Sequence, residues 1–457
     1  MRIWYRIDVR GEVLPLARLC LGFLYQGTRV PLLGHTGLFE PKVLPELPLS
    51  ITTTPNSPYA DRFRVDDLPG YRYRGHDLGH RDNAGLRNAM RFLRSGDAMN
   101  FTRTILLSIL LLVVATVTLA ASEQEIVLGD LYGKGRLAAA EALCDSLLDA
   151  DPGNALLNQF KGRLLADLYR GAEAVPYLER AVAADTARTW VYAWSQVYLG
   201  IVRYAAGDDE AAGRAWTAAC EANATKNSTA MARLYLNCLV EDTPFDAWTV
   251  HDTEHFEFRF SPRLEGTDVE SFTGQREAAF AWIATWFGRE PDRKIRFYVW
   301  SSNEEANQAG LPNLGFSRPH VSLIHSLANQ TRGHEMTHVI SGHAISPRNV
   351  APLIMEGAAI YHDRRSMDRF AAAVQAWSTL PADHRPGLYD LWENWRLLKE
   401  DVSYPLAGAF VAMLVERGGR EKFLELYRDQ TPDAARRVYG PDFDGWVADF
   451  ARRLDVE

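Results

Sequence analysis

Cysteine is scarce in this chain. The 457 residues include only Cys20, Cys144, Cys220 and Cys238, and no two of them form a CxxC pair. A disulfide-built scaffold and a zinc ribbon held by four cysteines are therefore excluded. Low-complexity character is excluded as well, because the apolar fraction is 47% and the charged fraction 24%, as in ordinary globular proteins.

The sequence also has no large basic patch. Lysine and arginine number 50 against 58 acidic residues, which gives a net charge of −8. A mildly acidic chain without segregated positive charge binds nucleic acid poorly, so we expect no nucleic-acid partner. Histidine, in contrast, is unevenly distributed, and seven of the twelve lie between residues 320 and 384. This cluster is the first indication of a functional site.

Only one long run lacks charged residues, and it covers 104–122. If the protein starts at Met99, residues 99–122 are a secretory signal peptide. If it starts at Met1, the same run is a single membrane anchor behind a cytoplasmic extension. Both interpretations place everything after residue 122 outside the cytoplasm, either periplasmic or secreted, or held at the membrane.

Residues 1–98 do not have the pattern of a folded domain. They are rich in Arg, Pro and Gly, and no apolar period persists along them. We therefore treat this segment as an unassigned extension, and we favour Met99 as the biological start. A true cytosolic tail is the alternative.

Residues 123–243 have a helical pattern that repeats. Gly135, Gly171 and Gly207 are each 36 residues apart. A helix with an aromatic residue near its end precedes each glycine, and an Ala-rich amphipathic helix follows it. This pattern resembles tetratricopeptide repeats, whose helix–turn–helix unit has a period near 34 residues. The resemblance implies stacked hairpins that dock a protein or peptide; a generic helical array without a ligand is the alternative.

Two cysteines of this region, Cys220 and Cys238, lie 18 residues apart. We expect them on adjacent helices, where an oxidising compartment would allow them to pair. The alternative is that both are small buried residues that do not bond to each other.

The sequence changes character at Pro244, and residues 244–457 form a second predicted domain. Apolar alternation predicts a strand at 255–260, and two further short strands are predicted at 294–300 and 320–325. An amphipathic helix is predicted at 268–287, and helices are expected to dominate after residue 328. The predicted class is α+β: a helical repeat, then a small mixed sheet and a helical C-terminal half.

An HExxH motif lies within the sequence GHEMTHVI at 333–340. On a helix, His334 and His338 lie one turn apart on the same face, with Cβ atoms ~5–6 Å apart. Two imidazole nitrogens can then converge on one ion at ~2.0–2.1 Å. Glu335, about 100° further round the helix, is placed beside the ion to take a proton from bound water. The apolar residues that follow indicate a buried helix, where these groups would be costly without a metal.

The residues after this motif exclude a metzincin site. A metzincin has a glycine three residues and a histidine six residues after the second histidine, but these positions hold Ser341 and Ala344. His343 is one residue out of register, so we do not expect it to bind the metal. A carboxylate, Glu356, follows His338 by 18 residues in the segment PLIMEGAAIY.

A helix with HExxH followed by a facing helix with a glutamate resembles the gluzincin arrangement of peptidase MA-like zinc metallopeptidases. The resemblance implies a zincin-like peptidase domain with one Zn²⁺ ion, bound by His334, His338 and Glu356. It also implies that Glu335 is the catalytic base and acid. Finally, it implies that Tyr404, just before the helical sequence AGAFVAMLVERGG, donates a hydrogen bond to the oxyanion.

Two features depart from known gluzincins. Some gluzincins have an acidic residue four positions after the ligand glutamate, but the position four residues after Glu356 holds Ile360 here. The group that orients a zinc-binding imidazole must then come from elsewhere, and Asp363 is the candidate. A GxMEN motif for gripping a free substrate amine is absent from the sequence, so exopeptidase action is not expected.

Taken together, these residues predict an extracytoplasmic zinc endopeptidase that hydrolyses peptides or proteins. Zinc is the expected cofactor, and the repeats would dock a protein partner. Strand 320–325, predicted to lie at a sheet edge, would bind the substrate backbone as an added strand. The alternative is an exported scaffold whose repeats bind a partner and whose zincin fold is catalytically latent.

Overall fold

The computed structural model describes five stretches of the chain, 123–241, 245–311, 314–330, 332–363 and 368–456. All of them belong to one compact unit. The extension 1–98 and the segment 99–122, predicted to be a signal peptide or anchor, lie outside the described residues. Among the helices that are described, none is long and apolar enough to cross a membrane.

The N-terminal part of the described chain is helical. Its helices are α1 (123–133), α2 (Leu137–Ala150), α3 (Ala155–Asp167), α4 (Gly171–Ala184), α5 (Trp190–Ala205), α6 (Asp209–Ala222) and α7 (Lys226–Tyr235), which a π-helical turn, Leu236–Val240, extends. Gly135 and Gly207 lie in turns with φ of 72° and 84°. Gly171 instead begins α4, and Tyr169 takes the left-handed conformation there, with φ of 58°. The helices predicted around each repeat glycine are present.

The two repeat cysteines do not pair with each other. The Cys220 Sγ lies 3.8 Å from the carbonyl oxygen of Thr229, and the Cys238 Sγ lies 3.7 Å from Nε2 of His325. The possible disulfide is therefore not formed. Cys238 lies on the π-helical turn, and its side chain contacts His325 of the sheet.

A mixed five-stranded sheet follows the helices. Its strands are β1 (Thr249–Asp252), β2 (Phe256–Phe260), β3 (Ile295–Trp300), β4 (Phe316–Arg318) and β5 (Leu323–Leu327). They are ordered β1-β2-β3-β5-β4, with β2, β3 and β5 parallel and the two edge strands antiparallel. The predicted strands at 255–260 and 294–300 agree with β2 and β3, whereas β1 and β4 were not predicted from the sequence.

The third predicted strand, 320–325, is displaced and is not an edge. Pro319–Val321 forms a 3-10 turn, Ser322 takes a left-handed φ of 48°, and the strand itself is Leu323–Leu327. Pro319 favours the turn because its ring fixes φ and it has no N–H for the sheet. The short β4 pairs outside this strand, so the predicted role of 320–325 as a substrate-binding edge is wrong.

Helices make up the rest of the second half. They are α8 (Val269–Phe287), α9 (Asn303–Gln308), α10 (His334–Ile345), α11 (Pro352–His362), α12 (Arg369–Ser378), α13 (Leu388–Glu393), α14 (Glu400–Arg428), α15 (Pro432–Tyr439) and α16 (Phe443–Val456). Within α14, Gly419 has φ of 81° and divides the helix into two segments. The predicted α+β class is confirmed.

One hydrophobic core joins the sheet to these helices. Phe256 and Phe258 of β2 are fully buried and pack against α8, which crosses from β2 to the parallel strand β3. Helix α10 contributes Met336, Val339 and Ile340 to the same core. The apolar side of the HExxH helix is thus held by the core, and its histidines lie on a different side of the helix.

Candidate metal centre

The HExxH motif occupies the first turns of α10. Gly333 precedes the helix, and Thr337 donates to the Gly333 carbonyl from both its backbone N–H, at 2.9 Å, and its hydroxyl, at 2.8 Å. A Cβ at Gly333 would lie 2.6 Å from the carbonyl oxygen of His362. Glycine is therefore required here for the start of α10 to approach the end of α11 this closely.

Three side chains converge beside this first turn. The Nε2 atoms of His334 and His338 are 3.3 Å apart. Oε2 of Glu356, on α11, lies 3.3 Å from the first nitrogen and 3.4 Å from the second. Among the described residues, this is the one group of three or more His, Cys, Asp and Glu side chains able to hold a metal ion.

The size of this triangle fits zinc. Ligand atoms about 2.0–2.1 Å from a zinc ion, at tetrahedral angles, are about 3.3–3.4 Å from one another. Each corner of a triangle with such sides is about 1.9 Å from the centre, so an ion slightly out of the plane reaches all three at zinc–ligand distances. Two imidazoles and one carboxylate are also donors that zinc prefers.

One corner of the triangle lacks a hydrogen-bond partner. Oε2 of Glu356, one corner of the triangle, is buried and has no hydrogen-bond partner among the described residues. Oε2 lies within 3.4 Å of both ring nitrogens, yet these contacts do not have hydrogen-bond geometry. A buried polar atom without a partner is costly, so this oxygen, which converges with two imidazole nitrogens, fits a site that could hold a metal ion.

The charges within the triangle are strongly coupled. Burial lowers the pKa of His338, but the Glu356 carboxylate outweighs this effect and raises the pKa to about 9. Burial in turn raises the pKa of Glu356, and the two histidines reverse this and lower it well below its ordinary value. The carboxylate therefore stays ionised, as a zinc ligand must be.

Glu335 and Tyr404 lie at this triangle. Glu335 is half-buried at the start of α10, and its negative charge acts on both His338 and Tyr404. The ring centroid of Tyr404, on α14, lies 5.9 Å from that of His334. Burial and then the charge of Glu356 raise the pKa of Tyr404. Its hydroxyl therefore keeps its proton and is a hydrogen-bond donor at the site.

Close helix packing sets the positions of Glu356 and Tyr404. A Cβ at Gly357 would lie 2.6 Å from the carbonyl oxygen of Ala407, and one at Gly408 would lie 2.2 Å from a methyl carbon of Ile360. These two glycines let α11 and α14 approach each other closely. The helix that carries the carboxylate is thereby held against the helix that carries the tyrosine.

Asp363 connects the two helices that carry the candidate metal ligands. It directly follows α11, and its Oδ1 accepts hydrogen bonds from the backbone N–H groups of Arg332, at 3.0 Å, and Gly333, at 3.3 Å. The sequence predicted a bond from Asp363 to a ligand imidazole. These contacts are instead with the backbone just before α10, where a carboxylate also interacts favourably with the helix dipole.

The other histidines of the cluster have different surroundings. Nε2 of His343 lies 3.0 Å from the Pro319 carbonyl oxygen and 3.4 Å from the Ser322 hydroxyl, outside the triangle. His320 lies in the same 3-10 turn, 3.7 Å from Asp167 of the repeats. The side chain of His384 is 71% exposed. None of these three belongs to the group of converging ligands.

The contact between Cys238 and His325 is structural. The indole N–H of Trp300 donates to Nδ1 of His325 at 3.0 Å. Since indole is only a donor, Nδ1 is unprotonated and the hydrogen is on Nε2, the atom that faces the Cys238 thiol. Burial lowers the pKa of His325 to about 3. The ring therefore cannot take the thiol proton, and the pair is not a nucleophile and its base.

His362 gives the fold a sensitivity to acid. It is fully buried between Trp286 and Phe287, and burial lowers its pKa to about 3. Below pH ~6.5 the unfolded chain binds a proton here that the folded chain does not, so stability decreases as the pH falls.

We expect the free energy of unfolding of His362→Phe to decrease by about 2 kcal/mol less than that of wild type when the pH falls from 7 to 5, as measured by urea unfolding. His384→Phe is the control; equal losses in all three proteins would contradict this expectation.

Comparison with known proteins adds no identification. No protein-family model matches this chain, and no curated protein matches it either. What the protein does has to be inferred from its own residues: the three converging ligands, with Glu335 and Tyr404 beside them.

Proposed function

We propose that the protein is a zinc-dependent metallopeptidase of the gluzincin type, acting as an endopeptidase. The observation that carries the proposal is the triangle of His334, His338 and Glu356, whose sides of 3.3–3.4 Å equal the spacing of zinc ligands. Three protein ligands leave one tetrahedral position for water or substrate, as in catalytic zinc sites, whereas structural sites have four protein ligands. This difference favours the hydrolase over a latent scaffold.

Each residue has a role in the proposed reaction. His334, His338 and Glu356 hold the ion, which when bound supplies Lewis-acid activation of water and of the peptide carbonyl. Glu335 takes a proton from the attacking water and later gives it to the leaving amine. The Tyr404 hydroxyl donates a hydrogen bond to the substrate oxygen as negative charge develops on it.

Two further parts of the proposal concern the rest of the chain. The helices over 123–241 are proposed to be tetratricopeptide-like and to dock a protein substrate or partner, since neighbouring helices pack in sequence along the array. The catalytic domain is proposed to lie outside the cytoplasm, because the uncharged run 104–122 precedes it in the sequence.

Metal content and dependence test the proposal. In the purified full-length chain, plasma emission spectrometry is expected to find about one zinc ion per chain. Casein cleavage should stop when 1,10-phenanthroline removes the metal and should return when zinc is restored. Less than about half an equivalent of zinc, or cleavage unaffected by the chelator, would reject the proposal. Zinc binding without cleavage of any peptide substrate would favour the latent scaffold.

A further inference from the structure

Three turns of the helical array contact the domain that carries the metal site. At the first repeat glycine, Gly135, the carbonyl accepts a hydrogen bond from the N–H of Val350 at 2.9 Å. In the third repeat, Arg293 makes two hydrogen bonds to Asp209, at 2.7 and 2.9 Å. In the second repeat, Tyr169 reaches α10 itself. Val350 lies in the loop between α10 and α11, so the array contacts this loop at the first repeat and α10 itself at the second.

Tyr169 has an unfavourable backbone conformation. Its φ of 58° is in the left-handed region. Glycine is the usual residue with this conformation just after a helix. Residues that keep such a backbone conformation are held in it by their surroundings, and they often lie at functional sites. Here the phenol ring lies against His320, with ring centroids 4.3 Å apart, and against His343, with centroids 5.3 Å apart.

The phenol also fills the space in front of Gly342, four residues after His338. A Cβ at position 342 would lie 1.9 Å from the Tyr169 hydroxyl oxygen and 2.7 Å from Cζ. The three atoms nearest to that Cβ all belong to Tyr169. The contact is therefore tight and specific: α10 cannot move toward the array without meeting this one side chain.

Helix α10 is consequently held at both ends. Asp363 and the close approach of Gly333 to His362 fix the start of the helix, and Tyr169 limits its movement near Gly342. Functional groups must be held within about 0.5 Å of their working geometry. A shift of α10 relative to α11 would change the distances from both histidines to Glu356.

We infer that Tyr169 of the helical array is a positioning residue for the metal centre: its contact with Gly342 sets where His334 and His338 lie relative to Glu356. The inference rests on the proposed metal site and adds a residue from outside the peptidase-like domain. It also gives the array a structural role in the site, separate from any docking of partners.

A double-mutant cycle on zinc affinity tests this inference in the full-length chain. The dissociation constant is measured by competition with a chromophoric chelator, and the Co²⁺ absorption spectrum reports the ligand geometry. We expect Gly342→Ala to weaken zinc binding by about 10- to 100-fold, as for residues that orient metal ligands, and Tyr169→Ala by about 10-fold. Tyr169→Phe keeps the ring and should stay within about threefold of wild type.

The diagnostic result is the double variant. Without the phenol there is room for a Cβ at position 342. In the Tyr169→Ala background, Gly342→Ala should therefore weaken zinc binding by less than about threefold. If Gly342→Ala alone does not fold, the double variant should restore folding, as seen by circular dichroism. Strictly additive effects would overturn the inference, as would wild-type affinity and Co²⁺ spectra in both single variants.

Gly200→Ala is the matched control. A Cβ at Gly200 would lie 2.1 Å from Nε1 of Trp216, so this change creates an equally severe clash between two helices of the array. It should lower stability and leave zinc affinity unchanged; an equal loss of affinity would show a general packing effect and overturn the specific role of Tyr169. A wild-type chain that binds no zinc would reject the metal site itself, which separates the two failures.

Discussion

Replacing Glu335 by glutamine is expected to lower peptide-bond hydrolysis by about 10²- to 10⁴-fold, the usual contribution of general acid–base catalysis, without loss of the metal. The amide has nearly the size of the carboxylate but cannot accept a proton at neutral pH. Glu335 follows His334 in the sequence and is not one of the three converging side chains. The expected outcome is therefore a variant that still contains zinc and has almost no activity.

Initial rates on casein and zinc content by plasma emission spectrometry check this expectation in one protein preparation. Glu425→Gln is the matched control, because Glu425 is exposed on α14 and the change in charge is the same. The control should retain wild-type rates. Unchanged cleavage in Glu335→Gln would remove this residue from the mechanism. Loss of zinc together with activity would make it part of the metal site instead.

The parts of the site that depend on local geometry could be predicted from the sequence. His334 and His338 converge because a four-residue spacing on a helix puts them on one face, whatever the rest of the fold is. Glu356 was identified by resemblance, and the structure places its carboxylate within 3.4 Å of both rings. Strands β2 and β3 were also predictable, because apolar residues alternate in β2 and β3 is a short run rich in aromatic and β-branched residues.

Features that depend on distant contacts could not be predicted. β4 has three residues, too few for a recognisable alternation, and its pairing outside β5 is what makes 320–325 an interior segment. Asp363 was expected to contact an imidazole, but the end of α11 brings it to the backbone of Arg332 and Gly333. The contact between Tyr169 and Gly342 joins a turn of the array to a helix far away in the sequence, and no pattern within either segment indicates it.

Glycine has a shared role in these distant contacts. Gly333, Gly342, Gly357 and Gly408 each lie where a Cβ would come within 2.6 Å of an atom of another element. Each is part of α10, α11 or α14 or directly precedes one, and these helices carry the ligands and Tyr404. The site is thus built by bringing helices unusually close together, which fixes the ligand triangle by backbone packing as well as by side-chain contacts.

Replacing Glu356 by alanine is expected to weaken zinc binding by well over about a hundredfold, more than the loss of a residue that only orients a ligand. The change removes one corner of the triangle and the negative charge that compensates the ion. It also removes the charge that holds the pKa of His338 at about 9 against the effect of burial. In zinc-free protein, the pKa of His338 should therefore be lower in Glu356→Ala than in wild type, which NMR titration of the His338 ring protons can measure.

Glu416→Ala is the control for this experiment, because Glu416 is exposed on α14. It should keep wild-type zinc affinity, and with zinc removed it should keep the raised pKa of His338. Wild-type zinc affinity in Glu356→Ala would show that the carboxylate is not a ligand. An unchanged pKa of His338 would show that Glu356 does not set the charge of the ring, and both results together would reject the triangle as a metal centre.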